Sequence, residues 1–129
     1  MMPLLFLAAA AAELDALDQA VVRCDRGTAS PAFASETARR SQFLLDAYRA
    51  QEVIVADRLA LADKRRALRE AGLITAADDK AIKLVEAALD DRQRALNDKR
   101  MLEGIRQDAM DTMRRYFLSN CPAGKETGH

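Results

Sequence analysis

Few residues in this chain have the types and spacing that chemistry needs. The only histidine is His129, the last residue, and without another no Ser-His-Asp or Cys-His arrangement can be assembled. Two pairs of acids, Asp78-Asp79 and Asp90-Asp91, are the nearest thing to a metal or acid–base site. Neighbours on a helix point about 100° apart, however, and each of these acids has a base one turn away, so they read as solvated helix faces. There is no Gly-rich phosphate loop and no dinucleotide fingerprint. The arginines of Ala38-Arg39-Arg40, Lys64-Arg65-Arg66 and Met113-Arg114-Arg115 are spread out and balanced by acids, which argues against a nucleic-acid groove. The expectation is a protein with no catalytic residue, no cofactor and no metal.

That leaves the two cysteines, Cys24 and Cys121, whose chemistry depends on what brings them together. Cys-x-x-Cys spacing is absent, so neither a redox-active pair nor a zinc knuckle is readable. The positioning elements follow from composition. Of 129 residues, Lys plus Arg and Asp plus Glu number 20 each, aromatics are 5%, and there are five Gly, three Pro and no Trp. An alanine-, leucine- and charge-rich chain of this kind favours long helices. Zero net charge gives no electrostatic reason to expect nucleic acid as a partner.

The organising stretch is Glu70-Ala71-Gly72-Leu73-Ile74-Thr75-Ala76-Ala77-Asp78. Gly72 suits the left-handed residue that closes a helix. Thr75 with Asp78 three residues on is a relative of the capping box that opens one. The reading is therefore all-α: a long antiparallel two-helix hairpin, coiled-coil-like, with a short N-terminal helix. Its parts are a leader over 1–12, a short helix 13–23, a loop 24–34, a long helix 35–71, the turn 72–75, a second long helix 76–119 and a flexible tail 122–129. Leu14, Leu17 and Val21 share a face of the short helix, and Ser35 or Thr37 is placed to cap the long one. Acid-before-base pairs at four-residue spacing support both arms, among them Glu36–Arg40, Asp79–Lys83, Asp90–Arg94 and Asp111–Arg115. Gly104 suggests a bend or a close helix approach in the second arm.

At 100° per residue the first long helix shows two apolar stripes. Leu44, Tyr48, Val55, Leu59 and Ala62 form one; Phe43, Ala50, Ile54, Leu61 and Leu68 form the other. Gln51, Arg58 and Arg65 lie between them, seven residues apart. The second helix carries Ala81, Leu84, Val85, Ala88, Leu89, Ala95, Leu96, Leu102, Ala109, Met110, Met113 and Phe117, with Arg92, Lys99 and Arg106 inside that stripe. Folding at the turn sets residue i near residue 147 − i, which places Arg92 by Val55, Lys99 by Tyr48 and Arg106 by Ser41. The basic three then find acids such as Asp46 or Glu52, or recruit acidic groups of a partner. Two stripes on one helix want two neighbours. The second stripe (Phe43, Ile54, Leu61, Leu68), with Arg92, Lys99 and Arg106, is the expected surface for a protein partner or self-association. The same folding brings Cys24 and Cys121 to the open end of the hairpin, and an intrachain disulfide there is the economical reading.

The apolar run from Met1 to Ala12, turning acidic at Glu13, has the length and small-residue end of a secretory signal segment, though no Lys or Arg precedes it. It is too short to span a bilayer as a helix, so no transmembrane helix is expected in the mature chain. Export to the periplasm or beyond is the expectation, with a buried first turn of an ordinary cytoplasmic helix as the alternative. Residues Ala67 to Thr75 resemble the helix–Gly-Leu-Ile-Thr–helix turn of short C-terminal oligomerisation domains found on many bacterial proteins. Ala76-Ala77-Asp78-Asp79-Lys80 departs from that pattern, and no function is carried over. The expected role is a non-enzymatic envelope scaffold, adaptor or chaperone-like interaction module. The alternative is a cytosolic coiled-coil accessory subunit of a secretion or other multiprotein machine.

Overall fold

A computed structural model describes residues 2–72 and 74–122, with side chains described over 11–72 and 74–122. Three helices make up the fold: α1 (Met2–Val22), α2 (Arg26–Glu70) and α3 (Ala76–Asn120). No strand occurs among the described residues. The chain is all-α, a long helix pair preceded by a shorter N-terminal helix.

The turn forms as its residue types dictate. Gly72 takes φ +66° and its N–H bonds the Arg69 carbonyl at 3.0 Å. Thr75 and Asp78 make a reciprocal capping box: Asp78 N–H donates to Thr75 Oγ1 and Thr75 N–H to Asp78 Oδ2, both at 3.1 Å. Leu73 and the tail 123–129, with His129, lie outside the described residues.

Between the first two helices the sequence reading is corrected. Residues 24–34 are not a loop. Helix α1 closes in a Schellman pattern, with Asp25 N–H on the Ala20 carbonyl at 2.8 Å and Cys24 N–H on that of Val21 at 3.1 Å. Cys24 holds the left-handed position, φ 55°, where glycine is usual. Asp25 then caps α2 at once, its carboxylate taking the Thr28 hydroxyl at 3.0 Å and the Thr28 N–H at 3.4 Å. Neither Ser35 nor Thr37 is the cap; Ser35 Oγ donates to the Ala32 carbonyl inside the helix. The Gly27–Pro31 stretch looks like a loop in sequence, but Pro31 sits within α2, early enough that only one backbone bond, to Gly27, is forgone. Likewise the short helix 13–23 and the run before it are one helix, α1.

The chain divides into two compact units. The first combines Met1–Ser41 with Glu103–His129. Its core joins Leu17, Val21, Ala29, Met110, Met113, Phe117 and Cys121, with Leu14, Ala32, Phe33 and Ala109 packed against them. Each large side chain buried there is worth roughly 1.5–3 kcal/mol. Phe33 and Phe117 meet at 5.8 Å between ring centroids. The Arg26 guanidinium lies 5.0 Å over the Phe117 ring and donates to the Cys121 carbonyl at 2.9 Å. Cys24 and Cys121 close a disulfide with Cα atoms 5.4 Å apart, as the folding register predicts.

The second unit is Gln42–Leu102, a two-helix seam. Buried apolar residues recur every seventh position, Ala47 and Ile54 on α2 and Ile82, Leu89 and Leu96 on α3. The second row of a coiled-coil seam is normally apolar too. Here it is polar: Gln51 meets Gln93, Arg58 meets Asp90 and Arg65 meets Glu86.

Candidate functional site

Three features of the two units are candidates: a charged cluster in the first, the polar row of the second, and the apolar side chains that the second leaves uncovered.

In the first unit, Glu36 and Glu103 are buried, 8% and 7% exposed. Glu36 is one turn from Arg39 and Arg40 on α2, and Glu103 is one turn from Gln107 on α3. Arg39 grips Glu103 through both terminal nitrogens at 2.8 Å and also Glu36. Arg40 donates to Glu36 at 3.0 Å and to Asp111 at 2.8 Å. Arg106 bridges Glu36 at 3.1 Å to Glu13 of α1 at 2.9 Å. Burial pushes the Glu36 carboxyl up, but hydrogen bonds from Arg39, Arg40 and Arg106 outweigh it and hold it down at about 2. Glu103 is lowered in the same way, burial raising it and the bonds from Arg39 and Gln107 prevailing. Arg39 is raised, first by its hydrogen bonds to Glu36 and Glu103. Each carboxylate of the cluster is paired with an arginine, and together the pairs fasten α1, α2 and α3.

The seam of the second unit is fastened similarly. Gln51 and Gln93 exchange amide bonds at 2.8 and 2.9 Å. Arg58 pairs with Asp90 at 3.0 Å and Arg92 with Asp57 at 2.7 Å, and Arg65 pairs with Glu86. These partners lie close to the 147 − i rule, so the predicted register holds. Details differ. Arg92 meets Asp57 and not Val55, and Arg106 meets Glu36 and Glu13 and not Ser41. Lys99 is exposed; among the described residues the cation over a ring is Arg26 on Phe117. Asp46 accepts from Gln42. A shallow cleft of about 290 Å³ is lined by Arg58, Leu61, Ala62, Arg65, Glu86 and Asp90, where each arginine already has its acid.

The apolar stripes exchange roles. The second stripe, expected to be free, is the seam: Ile54 is buried, and Phe43, Leu61 and Leu68 are partly so. Gln51, Arg58 and Arg65 join it, because a seam of period 3.5 takes in the lane beside the apolar row. The stripe left open is the first, with Leu44 66%, Tyr48 63%, Val55 46% and Leu59 63% exposed, and Leu45 40% beside it. On α3, Leu84, Val85, Met101 and Leu102 are also exposed. Ile82, a buried seam residue, fell outside the stripe read from sequence, though its place seven before Leu89 could have found it. Gly104 marks no close approach, since a Cβ there would meet nothing within 4 Å. Of the four predicted intrahelical pairs, Glu36–Arg40 and Asp79–Lys83 form. Asp90 and Asp111 turn to Arg58 and Arg40 on the other helix.

Among the described residues no His/Cys/Asp/Glu cluster could hold a metal ion, and no helix is long and apolar enough to cross a membrane. Comparison with protein-family models, curated proteins and solved structures returns no match for this chain.

Proposed function

We propose that this chain is an exported, non-enzymatic helical-hairpin protein that works by binding other proteins, as an envelope scaffold, adaptor or chaperone-like helper. The observation that carries the binding role is the apolar surface of the second unit. After its seam has formed, large apolar side chains on both arms remain open to solvent. Patches of this kind mark protein interaction sites more often than chance. Export draws support from the Cys24–Cys121 bond, since such bonds persist in oxidising compartments, and from the apolar run that opens the chain. A photo-crosslinking residue in place of Leu84 or Leu102, carried by cells of the native host, should trap the same protein from either position. A crosslinker on Lys83, exposed and turned about 100° around α3 from both leucines, should not. Adducts equal at all three positions would remove the binding role.

One observation favours the second reading, a cytosolic coiled-coil accessory subunit. The apolar run continues without a break into the helix that supplies Leu17 and Val21 to the core, which fits a segment that is kept. Fractionation separates the two, because a full-length species confined to the cytosol contradicts export.

A further inference from the structure

We infer that the open stripe of α2 is the interface to a second copy of this chain, packed antiparallel across a two-fold axis near Asp57. The stripe is itself a seam. Leu45, Glu52, Leu59 and Arg66 recur every seven residues, and Tyr48, Val55, Ala62 and Arg69 follow each of them by three, the same alternation as the seam that α3 covers. Among the described residues of the second unit only one apolar row is buried, too thin a core for so many residues to rest on alone. Covering the stripe would remove on the order of 400–500 Å² of apolar surface per copy, so the pair reaches the roughly 1,000 Å² at which specific interfaces begin.

Charge selects the occupant and the register. Within the hairpin, polar-row residues of the two helices meet as Arg65 meets Glu86, and flank residues as Asp57 meets Arg92. Transferred to two antiparallel copies of α2, the same spacing stacks Val55 on Leu59 of the other copy at the centre. It sets Glu52 against the other copy's Arg66 and, on the flank opposite to that of Asp57 and Arg92, Arg49 against its Asp63, the Arg66–Asp63 pair within each copy opening to make them. The flank that matches Asp57 and Arg92 brings the two copies of Arg58 to the axis, each paired with its own Asp90. Tyr48 then lies under the stem and guanidinium of that Arg66. Each pairing occurs twice by symmetry. A shift of one heptad in one direction lays Glu52 on Val55 at the centre. A shift in the other runs Tyr48 past the end of the other copy's helix at Glu70. A partner of arbitrary sequence has no reason to match this alternation; the chain itself does. The exposed residues Leu84, Val85 and Leu102 of α3 stay free for another protein, so the inference does not rest on the proposed binding role.

Sedimentation equilibrium of the full, oxidised chain tests it. The wild type should be a dimer at tens of micromolar. Arg49→Asp or Asp63→Arg alone sets like charges opposite one another at two places and should weaken the dimer about tenfold or more. The double variant R49D/D63R restores both pairs and should return most of that loss. Leu59→Asp should give monomers with unchanged far-UV helicity, which keeps loss of association distinct from loss of fold. A wild-type monomer throughout the micromolar range, or a double variant no better than the singles, overturns the proposal. A dimer that captures no envelope protein leaves it standing and removes the binding role instead.

Discussion

Replacing Glu36 by glutamine should remove a large electrostatic contribution to the first unit, in a way that pH can dissect. Burial alone would raise this carboxyl, yet in the folded chain three arginines hold it at about 2, against an ordinary 4.5. Each tenfold gain in acidity corresponds to about 1.4 kcal/mol, so the ionised group adds roughly 3 kcal/mol to stability at neutral pH. The folded value lies below the unfolded one, so this contribution is fully present above about pH 4.5. It is lost as the pH falls through the folded value near 2. Urea unfolding of the oxidised protein, followed by far-UV dichroism, should therefore place Glu36→Gln about 3 kcal/mol below wild type at pH 7. The gap should shrink steadily below pH 4.5 and nearly close by pH 2. Removing one partner of a buried ion pair typically costs this much or more. A gap under about 0.5 kcal/mol at neutral pH would refute the reasoning. So would one that does not change with pH, since that would be packing and not charge.

The remaining predictions concern the other fastenings. Reducing the Cys24–Cys121 bond, or replacing both cysteines by serine, opens a loop with a sequence separation of 97. The chain-entropy relation makes that worth about 4–5 kcal/mol, which thermal or urea unfolding with and without reductant would measure. Gly72→Ala should cost about 1 kcal/mol for the left-handed backbone alone, because its Cβ meets nothing within 4 Å. Thr75→Ala should cost about as much by opening the capping box. Gln51→Leu should destabilise by about 1 kcal/mol by leaving Gln93 short of its partner. The double variant with Gln93→Leu should recover that loss and more, as apolar seams do, and a denaturation series over the four species would show it.

Local chemistry made the turn end legible. Gly72, Thr75 and Asp78 are short-range signals whose partners lie within a few residues. The cysteine pairing was legible for a different reason, since a single turn in a two-helix hairpin fixes which distant residues meet. What failed was the choice between stripes of similar apolarity. Both Ile54 and Val55 look like core residues; which one faces α3 depends on a period of 3.5 that admits Arg58 and Arg65 to the seam. Composition read the Cys24–Ala32 stretch as a loop, whereas Asp25 caps a helix that tolerates Pro31 near its start. The cluster of Glu36, Arg39, Glu103 and Arg106 was invisible because its members sit on two helices and reach a third, and a buried glutamate announces itself only once its arginines are placed.

Oxidation and export of the hairpin can both be read from one intact mass. The protein is recovered from the native host under acid quench, alkylated without reductant, and its intact mass read. The expected result is no alkyl group on Cys24 or Cys121 and an N-terminus shortened near Ala10–Ala12, in material from outside the cytosol. Two alkylated cysteines on a full-length cytosolic chain would contradict it.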